Sequence, residues 1–429
     1  MDDNFPTILI EGGRIIDPTN GRDEVGDLLI KEGIIAEVAP AISLKKGSFQ
    51  KIDALGKIVI PGMIDLHCHL REPGFEYKET LKTGTAAAAG GGFTAVCAMP
   101  NTNPVNDCQS ITEFILEKAK IEGSVHVLPI GAITKGSKGK ELAETGDLVA
   151  AGCVAISDDG LPVMDSEVMR QAMSYAKIFD IPVIDHCEDL NLTGNGVMFE
   201  GDVSTALGVG GIPGASESVM VARNLSLAEL TGARLHLAHI STAESVRMIR
   251  EAKQRGLSVT AETCPHYFTI TDEAIRGFNS NAKMKPPLGT ERDREAIRSG
   301  LKDGTIDVIA TDHAPHASEE KEQALDQAPF GIIGLETALP LSLRLVEDGI
   351  LSLPNMVKAL TAAPARVLGK KIGSLNIGSR ADISIIDPKS EWEVKASELK
   401  SKSKNSPFLG WKMKGQAVAV FVSGKLVKR

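Results

Sequence analysis

The sequence is poor in aromatic residues, which make up 4% of its 429 positions, while it holds 42 glycines. That balance suits tight β/α turns and close helix-to-sheet packing better than an aromatic-rich recognition surface. Basic residues are outnumbered as well: 47 Lys and Arg against 56 Asp and Glu leave a formal net charge of −9. Such a field repels polyanions, so neither nucleic acid nor an anionic membrane surface is expected as a partner. No apolar run reaches the roughly 18 residues that a membrane helix needs. The acidic opening Met1-Asp2-Asp3-Asn4 is followed by no apolar core, so neither a secretory signal nor a transit peptide is expected. The six cysteines form no Cys-x-x-Cys pair. Most fall in or beside strand-like apolar runs, where a free thiol behaves as a small hydrophobe, so a reducing, cytoplasmic location is expected.

What the chain does contain is alternation. Residues 7 to 60 read as short strands separated by Gly and Asn turns, and residues 381 to 386 and 417 to 424 read as strands again. The two ends are expected to pair into a small β-sandwich, with parts at residues 1–60 and 369–429 flanking an uninterrupted insert at 61–368. Within the insert, strand-like runs begin after Pro61-Gly62 and recur at 93–98, 125–130, 153–157, 182–186, 234–239, 257–262 and 307–311. Helical patterns separate them, one of them from Ser110 to Ile121 with Ser110 and Glu113 spaced as a capping box. Strands alternating with helices in this number predict a (β/α)8 barrel, an α/β fold that absorbs about 250 residues, with a doubly wound open sheet as the weaker alternative.

In a barrel the chemistry sits at the C-terminal ends of the strands. The first strand ends in His67-Cys68-His69, and because strand side chains alternate, the two imidazoles share a face while Cys68 takes the other. Alone this is half a metal site. The later strands end in Ser157-Asp158-Asp159, His186, His239 and Thr311-Asp312-His313. Imidazoles and carboxylates converging on one mouth form a ligand set that zinc accepts. His126 and His236 lie early in their strands and are expected in core packing or local hydrogen bonds, and His266 is expected to be structural. His313 is expected to face away from a metal, whereas His316, farther along the loop, is free to face a substrate.

Two glycine-rich stretches do not make phosphate loops. Gly136-Ser137-Lys138-Gly139-Lys140 is followed by Glu141 where a P-loop needs Ser or Thr, and Gly90-Gly91-Gly92 precedes a strand instead of following one. The acidic run from Ser318 to Glu322 reads as a solvated loop beside the mouth, with room for a lid role.

Several motifs resemble those of the cyclic amidohydrolases, and specifically the bacterial type I dihydroorotases. They are Asp65-Leu66-His67-Cys68-His69-Leu70-Arg71-Glu72-Pro73-Gly74, Met99-Pro100-Asn101-Thr102-Asn103-Pro104, Thr311-Asp312-His313-Ala314-Pro315-His316 and Ala328-Pro329-Phe330-Gly331. The resemblance implies reversible cyclisation of N-carbamoyl-L-aspartate to L-dihydroorotate in pyrimidine biosynthesis, on two zinc ions. It implies that His67, His69 and Asp312 hold one zinc, that His186 and His239 hold the other, and that Asp159 bridges them. Spacing alone does not choose between Asp158 and Asp159. Hydantoinases and allantoinases place a carboxylated lysine at the end of strand 4, where this chain has none.

Asp312 is implied as the general base, passing a proton from the attacking water to the departing ring nitrogen. Arg71, Asn101 and His316 are implied as contacts of the substrate carboxylate, with Phe330 and Gly331 beside them. One departure stands out: Lys283-Met284-Lys285-Pro286-Pro287-Leu288-Gly289 lacks the asparagine and arginine that the family carries at Lys285 and Gly289, so Lys285 becomes a candidate substrate contact. A small-molecule substrate, a homo-oligomer and association with aspartate transcarbamoylase complete the expectation. The alternatives are a hydantoinase-like or allantoinase-like amidohydrolase and a silent scaffold partner of the transcarbamoylase.

Overall fold

The strand that carries the first histidines is entered from a sheet built at the chain's beginning: β1 (Thr7–Asp17), β2 (Arg22–Lys31), β3 (Ile34–Ala39), β4 (Phe49–Asp53) and β5 (Ile58–Pro61). The computed structural model describes residues 6–44 and 49–428, so the acidic Met1-Asp2-Asp3-Asn4 opening lies outside the described residues. β5 leads directly into β6 (Met63–Cys68), followed by β7 (Phe93–Ala98), β8 (His126–Gly131), β9 (Ala155–Ile156) and β10 (Val183–Asp185). A two-stranded ribbon, β11 (Met198–Phe199) with β12 (Gly211–Ile212), precedes β13 (Leu235–Leu237), β14 (Val259–Thr263) and β15 (Val308–Ile309).

β6 to β10 and β13 to β15 form one eight-stranded sheet in chain order. Its two ends meet where Cys68 bridges His313 and the His69 N–H donates to the His313 carbonyl at 2.8 Å. The parallel sheet is therefore a nearly closed (β/α)8 barrel and not an open sheet. A buried cluster including Leu66, Cys97, Ile130, Ala155, Ile184, Ala238 and Ala310 draws on strands all round it. Several strands are shorter than their apolar runs. His239 and Asp312 take left-handed φ values of 32° and 44°, which end the extended backbone where these side chains are presented.

The chain returns to the first sheet with β16 (Ile383–Glu393), β17 (Lys412–Val422) and β18 (Lys425–Lys428). The sandwich expected from the two termini takes the form of one continuous sheet, β18-β17-β16-β5-β1-β2-β3, with β4 paired to β1. β16 runs antiparallel to β5, Ile385 opposite Val59. Period-two alternation puts Ile8, Ile10, Leu28 and Ile30 in one buried cluster with Val59, Ile385 and Phe421, and Leu9 and Leu29 in another.

Two local features differ from simple sequence signals or explain them. The helix Gln109–Glu122 starts with Cys108 at its cap and no side-chain cap bond. The Ser110–Glu113 capping box does not form, because Glu113 instead accepts from Gln109 Nε2 at 2.7 Å. Gly92 closes the helix Leu81–Gly91 with φ 99°, a left-handed cap that glycine adopts without strain, so the triple glycine is a helix end. Among the described residues, five of the six free cysteines are buried and Cys108 is exposed. No helix of the described residues is long and apolar enough to cross a membrane.

Candidate metal centre

Asp159 lies at the centre of the mouth. Its Oδ2 is 3.2 Å from His67 Nε2 and 3.4 Å from His69 Nε2, and its Oδ1 is 3.4 Å from His186 Nδ1 and 3.3 Å from His239 Nε2. Asp312 Oδ1 is 3.2 Å from His69 Nε2 and 3.6 Å from His67 Nε2. All six side chains are buried. His67 and His69 share a face as the strand alternation requires, and Cys68 turns away, its thiol directed at the Cys97 carbonyl. Asp158 also turns away, accepting from the Thr134 backbone N–H at 3.0 Å and from its hydroxyl. The structure thus brings together every residue the sequence proposed as a metal ligand.

The donor set fits a cation for a reason that lies one layer out. His67 Nδ1 is 2.8 Å from Glu262 Oε1, His69 Nδ1 is 2.8 Å from Asn101 Oδ1, and His186 Nε2 is 3.0 Å from Glu188 Oε2. Each outer oxygen is an acceptor, so each ring spends its N–H outward and turns a lone pair toward the carboxylates. Buried lone pairs facing carboxylate oxygens repel unless a metal cation or a second proton on the ring lies between them. Burial lowers the pKa of His67 and His186, but Asp159 draws both upward for the same reason. His186 Nδ1 also faces His239 Nε2 at 2.9 Å, and His239 Nδ1 is buried without a partner among the described residues. Two groups, His67–Asp159–His239 and His67–His69–Asp312, bring their ligand atoms within 4.8 Å of one another and are able to hold a metal ion.

Of these outer residues Asn101 was expected at the mouth as a substrate contact, whereas Glu262 and Glu188 were not legible as site residues. Glu262 joins His67 to His236, whose Nε2 is 3.0 Å from Glu262 Oε2 and whose Nδ1 is 2.8 Å from Thr260 Oγ1. Burial pushes the Glu262 carboxyl up, but the bonds from His236 and His67 outweigh it and bring its pKa down to about 2. His236 is hydrogen-bonded as expected, yet two bonds from the mouth. His126 makes its bond to Asp382 Oδ1 at 3.1 Å, and His313 faces Glu79 Oε2 at 3.3 Å, away from the cluster. His266 is buried beside Tyr267, its Nε2 without a partner among the described residues, and burial lowers its pKa to about 3.

The other side of the mouth is cationic and loop-built. Arg71, at φ 64°, donates from Nε to the Pro315 carbonyl at 3.2 Å, and its Nη2 is 3.4 Å from His316 Nε2. It forms no ion pair among the described residues, and burial lowers its pKa to about 10, which leaves it charged at neutral pH. Lys285 Nζ is 2.9 Å from Glu188 Oε1 and 5.1 Å from the Phe330 ring centroid. Lys283 donates to the carbonyls of Leu325 and Ala328, both at 2.6 Å, and Lys321 to those of Pro329 and Gly331 at 2.9 and 3.1 Å. The acidic run is thus only partly solvated: Ser318–Lys321 is a short helix whose last side chain is buried under the loop. Gly331, at φ 126°, leaves no room for a side chain, since a Cβ there would lie 2.8 Å from Ala314 Cβ. Asn405, from the segment before β17, accepts from His316 N–H at 3.1 Å and donates to the Gly331 carbonyl at 3.0 Å. Nothing in its local sequence marks it as part of the mouth.

Comparison with known proteins decides the family. A dihydro-orotase-like family model matches residues 56–245. The dihydroorotase of Geobacter metallireducens is 56% identical over 420 residues, covering 98% of this chain and 99% of that protein. The chain belongs to the dihydroorotase family. The dihydroorotase of Geobacter sulfurreducens, 57% identical over the same shares of both chains, agrees. The fold of this dihydroorotase family member is also that of the L-hydantoinase from Arthrobacter aurescens, with TM-score 0.89 at 25% identity over 99% of this chain and 96% of that one. As members of the cyclic amide hydrolases, dihydroorotases need a mouth that activates water against a poor electrophile.

Proposed function

We propose that the chain is a zinc-dependent dihydroorotase, interconverting N-carbamoyl-L-aspartate and L-dihydroorotate in pyrimidine biosynthesis. The observation that carries this reading is the juxtaposition of a buried histidine–aspartate cluster with Arg71, a charged guanidinium that has no carboxylate partner of its own among the described residues. A substrate with a scissile cyclic amide and a free carboxylate answers both needs at once.

His67, His69 and Asp312 would hold one zinc, His186 and His239 a second, and Asp159 would bridge them. Zinc, when bound, supplies Lewis acidity that polarises the amide carbonyl and activates water at neutral pH. Asp312 takes the proton of the attacking water and delivers it to the departing ring nitrogen, and in the cyclising direction the transfer reverses. Glu262, Asn101 and Glu188 orient the histidines and fix which nitrogen faces inward. Arg71 grips the substrate carboxylate through two parallel N–H bonds, which a lysine cannot do. His316, the Asn101 amide and the backbone around Phe330 and Gly331 complete the carboxylate end. Lys285 contributes by closing the pocket wall beside His186, its charge shared with Glu188.

The reading includes a barrel unit at 61–368 flanked by parts at 1–60 and 369–429, a cytoplasmic homo-oligomer, and association with aspartate transcarbamoylase. A second reading, a related amidohydrolase acting on another cyclic ureide, rests on Lys285 and Gly289. A panel of dihydroorotate, hydantoin, dihydrouracil and allantoin decides between them by kcat/KM. Preference for dihydroorotate is expected; preference for any of the others would replace the first reading by the second.

A further inference from the structure

His316 is held between two groups that can only donate. Lys78 Nζ lies 3.1 Å from its Nδ1, and Arg71 Nη2 lies 3.4 Å from its Nε2. An ammonium and a guanidinium carry N–H bonds and offer no lone pair. The His316 ring is 7% exposed, and burial, followed by the charges of Arg71, Lys78 and Lys321, brings its pKa down to about 2, so it is neutral. A neutral imidazole has one lone pair and one N–H. It therefore accepts from one of its two cationic neighbours and turns an N–H toward the other.

Distance decides which. The Lys78 contact is the shorter of the two. The opposite tautomer would aim Nδ1–H at Glu320 Oε2, 3.5 Å away, while Glu320 is already engaged by Lys78 through Oε1 at 2.9 Å and by the Ala317 N–H through Oε2 at 3.0 Å. The Lys78 side chain is itself only 13% exposed and packs over the Phe75 and Tyr77 rings at 5.8 and 5.5 Å, which holds its ammonium in place. The lone pair is then on Nδ1 and the proton on Nε2, beside Arg71, where the ring has the neutral Phe330 backbone as a partner but no anion among the described residues. One Nε2–H and one guanidinium, both donors and both lacking an anion, make a carboxylate site.

We propose that Lys78 is a positioning residue for substrate recognition: by donating to Nδ1 it fixes the His316 tautomer whose Nε2–H joins Arg71 in holding the substrate carboxylate. Lys78 has this role only if Arg71 and His316 bind that carboxylate, as proposed above.

The test uses the full chain loaded with zinc. Lys78→Met is expected to raise KM for dihydroorotate by about 10-fold or more, the scale of one lost charge-assisted hydrogen bond, with most of the loss in KM and little in kcat. Calorimetric affinity for orotate, which carries the same carboxylate and is not hydrolysed, should fall by a similar factor. Lys78→Arg keeps a donor at Nδ1 and should restore most of both. Unchanged KM and orotate affinity in Lys78→Met, or a loss confined to kcat, would overturn the role. If Lys78→Met is poorly folded, its melting temperature shows it, and Lys78→Arg decides: near-normal KM supports the role, and a KM raised as far as by loss of Arg71 contradicts it. A wild-type protein that binds orotate in a Lys78-dependent way but leaves dihydroorotate unchanged would sink the reaction assignment and leave this site standing.

Discussion

The two sides of the barrel mouth are built on opposite principles. The proposed metal side is anionic, and its six inner side chains stand at or just beyond the ends of parallel strands. The proposed carboxylate side is cationic and loop-borne: Arg71, Lys78 and His316 meet where residues 314 to 331 are tied down by Lys283, Lys321 and Asn405. Strands place histidines to within a hydrogen bond with local rules alone. Loops achieve comparable precision only by spending buried cations and amides on backbone carbonyls, whose polar groups would otherwise be unsatisfied. The two sides touch at Glu188, which takes His186 Nε2 on one oxygen and Lys285 Nζ on the other.

This contrast can be broken from either side. The largest effect is expected for Asp312→Asn, which removes the proposed base from the metal side: kcat should fall about 1,000-fold, measured at saturating dihydroorotate. Arg71→Lys attacks the other side, keeping the charge but losing the bidentate geometry. KM should rise by about 10- to 100-fold with a smaller change in kcat, whereas an equal fall in kcat would place Arg71 in the chemistry and erase the distinction between the sides. Glu262→Gln keeps the shape of the outer layer but weakens the hold on His67. Zinc affinity should drop by about 10-fold or more, read by competition with a chelator, and unchanged affinity would make Glu262 a core residue only.

The smallest effect concerns stability. Glu79 accepts from Ser401 Oγ at 2.5 Å and from the Lys402 N–H at 3.1 Å, and it faces His313, so it anchors the segment that carries Asn405. Burial pushes its carboxyl up, but the bond and charge of His313 and the bond from Ser401 prevail, and the group sits below its ordinary value. A depressed carboxyl contributes stability that is fully present above the unfolded-state pKa and lost as pH falls through the folded-state value. Glu79→Gln should therefore cost about 1–3 kcal/mol at neutral pH, and the difference from wild type should shrink on acidification below the unfolded carboxyl range, near pH 4. A difference that persists unchanged into acid would mean that the carboxylate charge is not what anchors the segment.

What the sequence made legible follows the same division. Apolar runs ending in His67-x-His69, His186, His239 and Asp312 announced both the barrel and the metal side, because alternation and strand ends are local properties. Asp159 needed more than spacing: it is separated from Asp158 only by which carboxylate the backbone turns inward, and Thr134, from another strand's end, captures the wrong one. The capping box at Ser110 failed because Gln109 competed for Glu113. Glu262, Glu188, Lys78 and Asn405 were invisible because their roles depend on a partner distant in the chain, and a lone charged residue on a strand or loop is most often a solvated surface group.

On the proposed reading, a metal held by the histidine–aspartate cluster drives the opening and closing of dihydroorotate. The most direct measurement is the rate of dihydroorotate hydrolysis by the purified chain before chelation, after exhaustive chelation and after zinc is returned. Activity that is lost with the metal and regained with zinc, at a stoichiometry of two per chain, is the expected result. Undiminished hydrolysis by metal-free protein, or no hydrolysis by the zinc-loaded protein, would contradict the account.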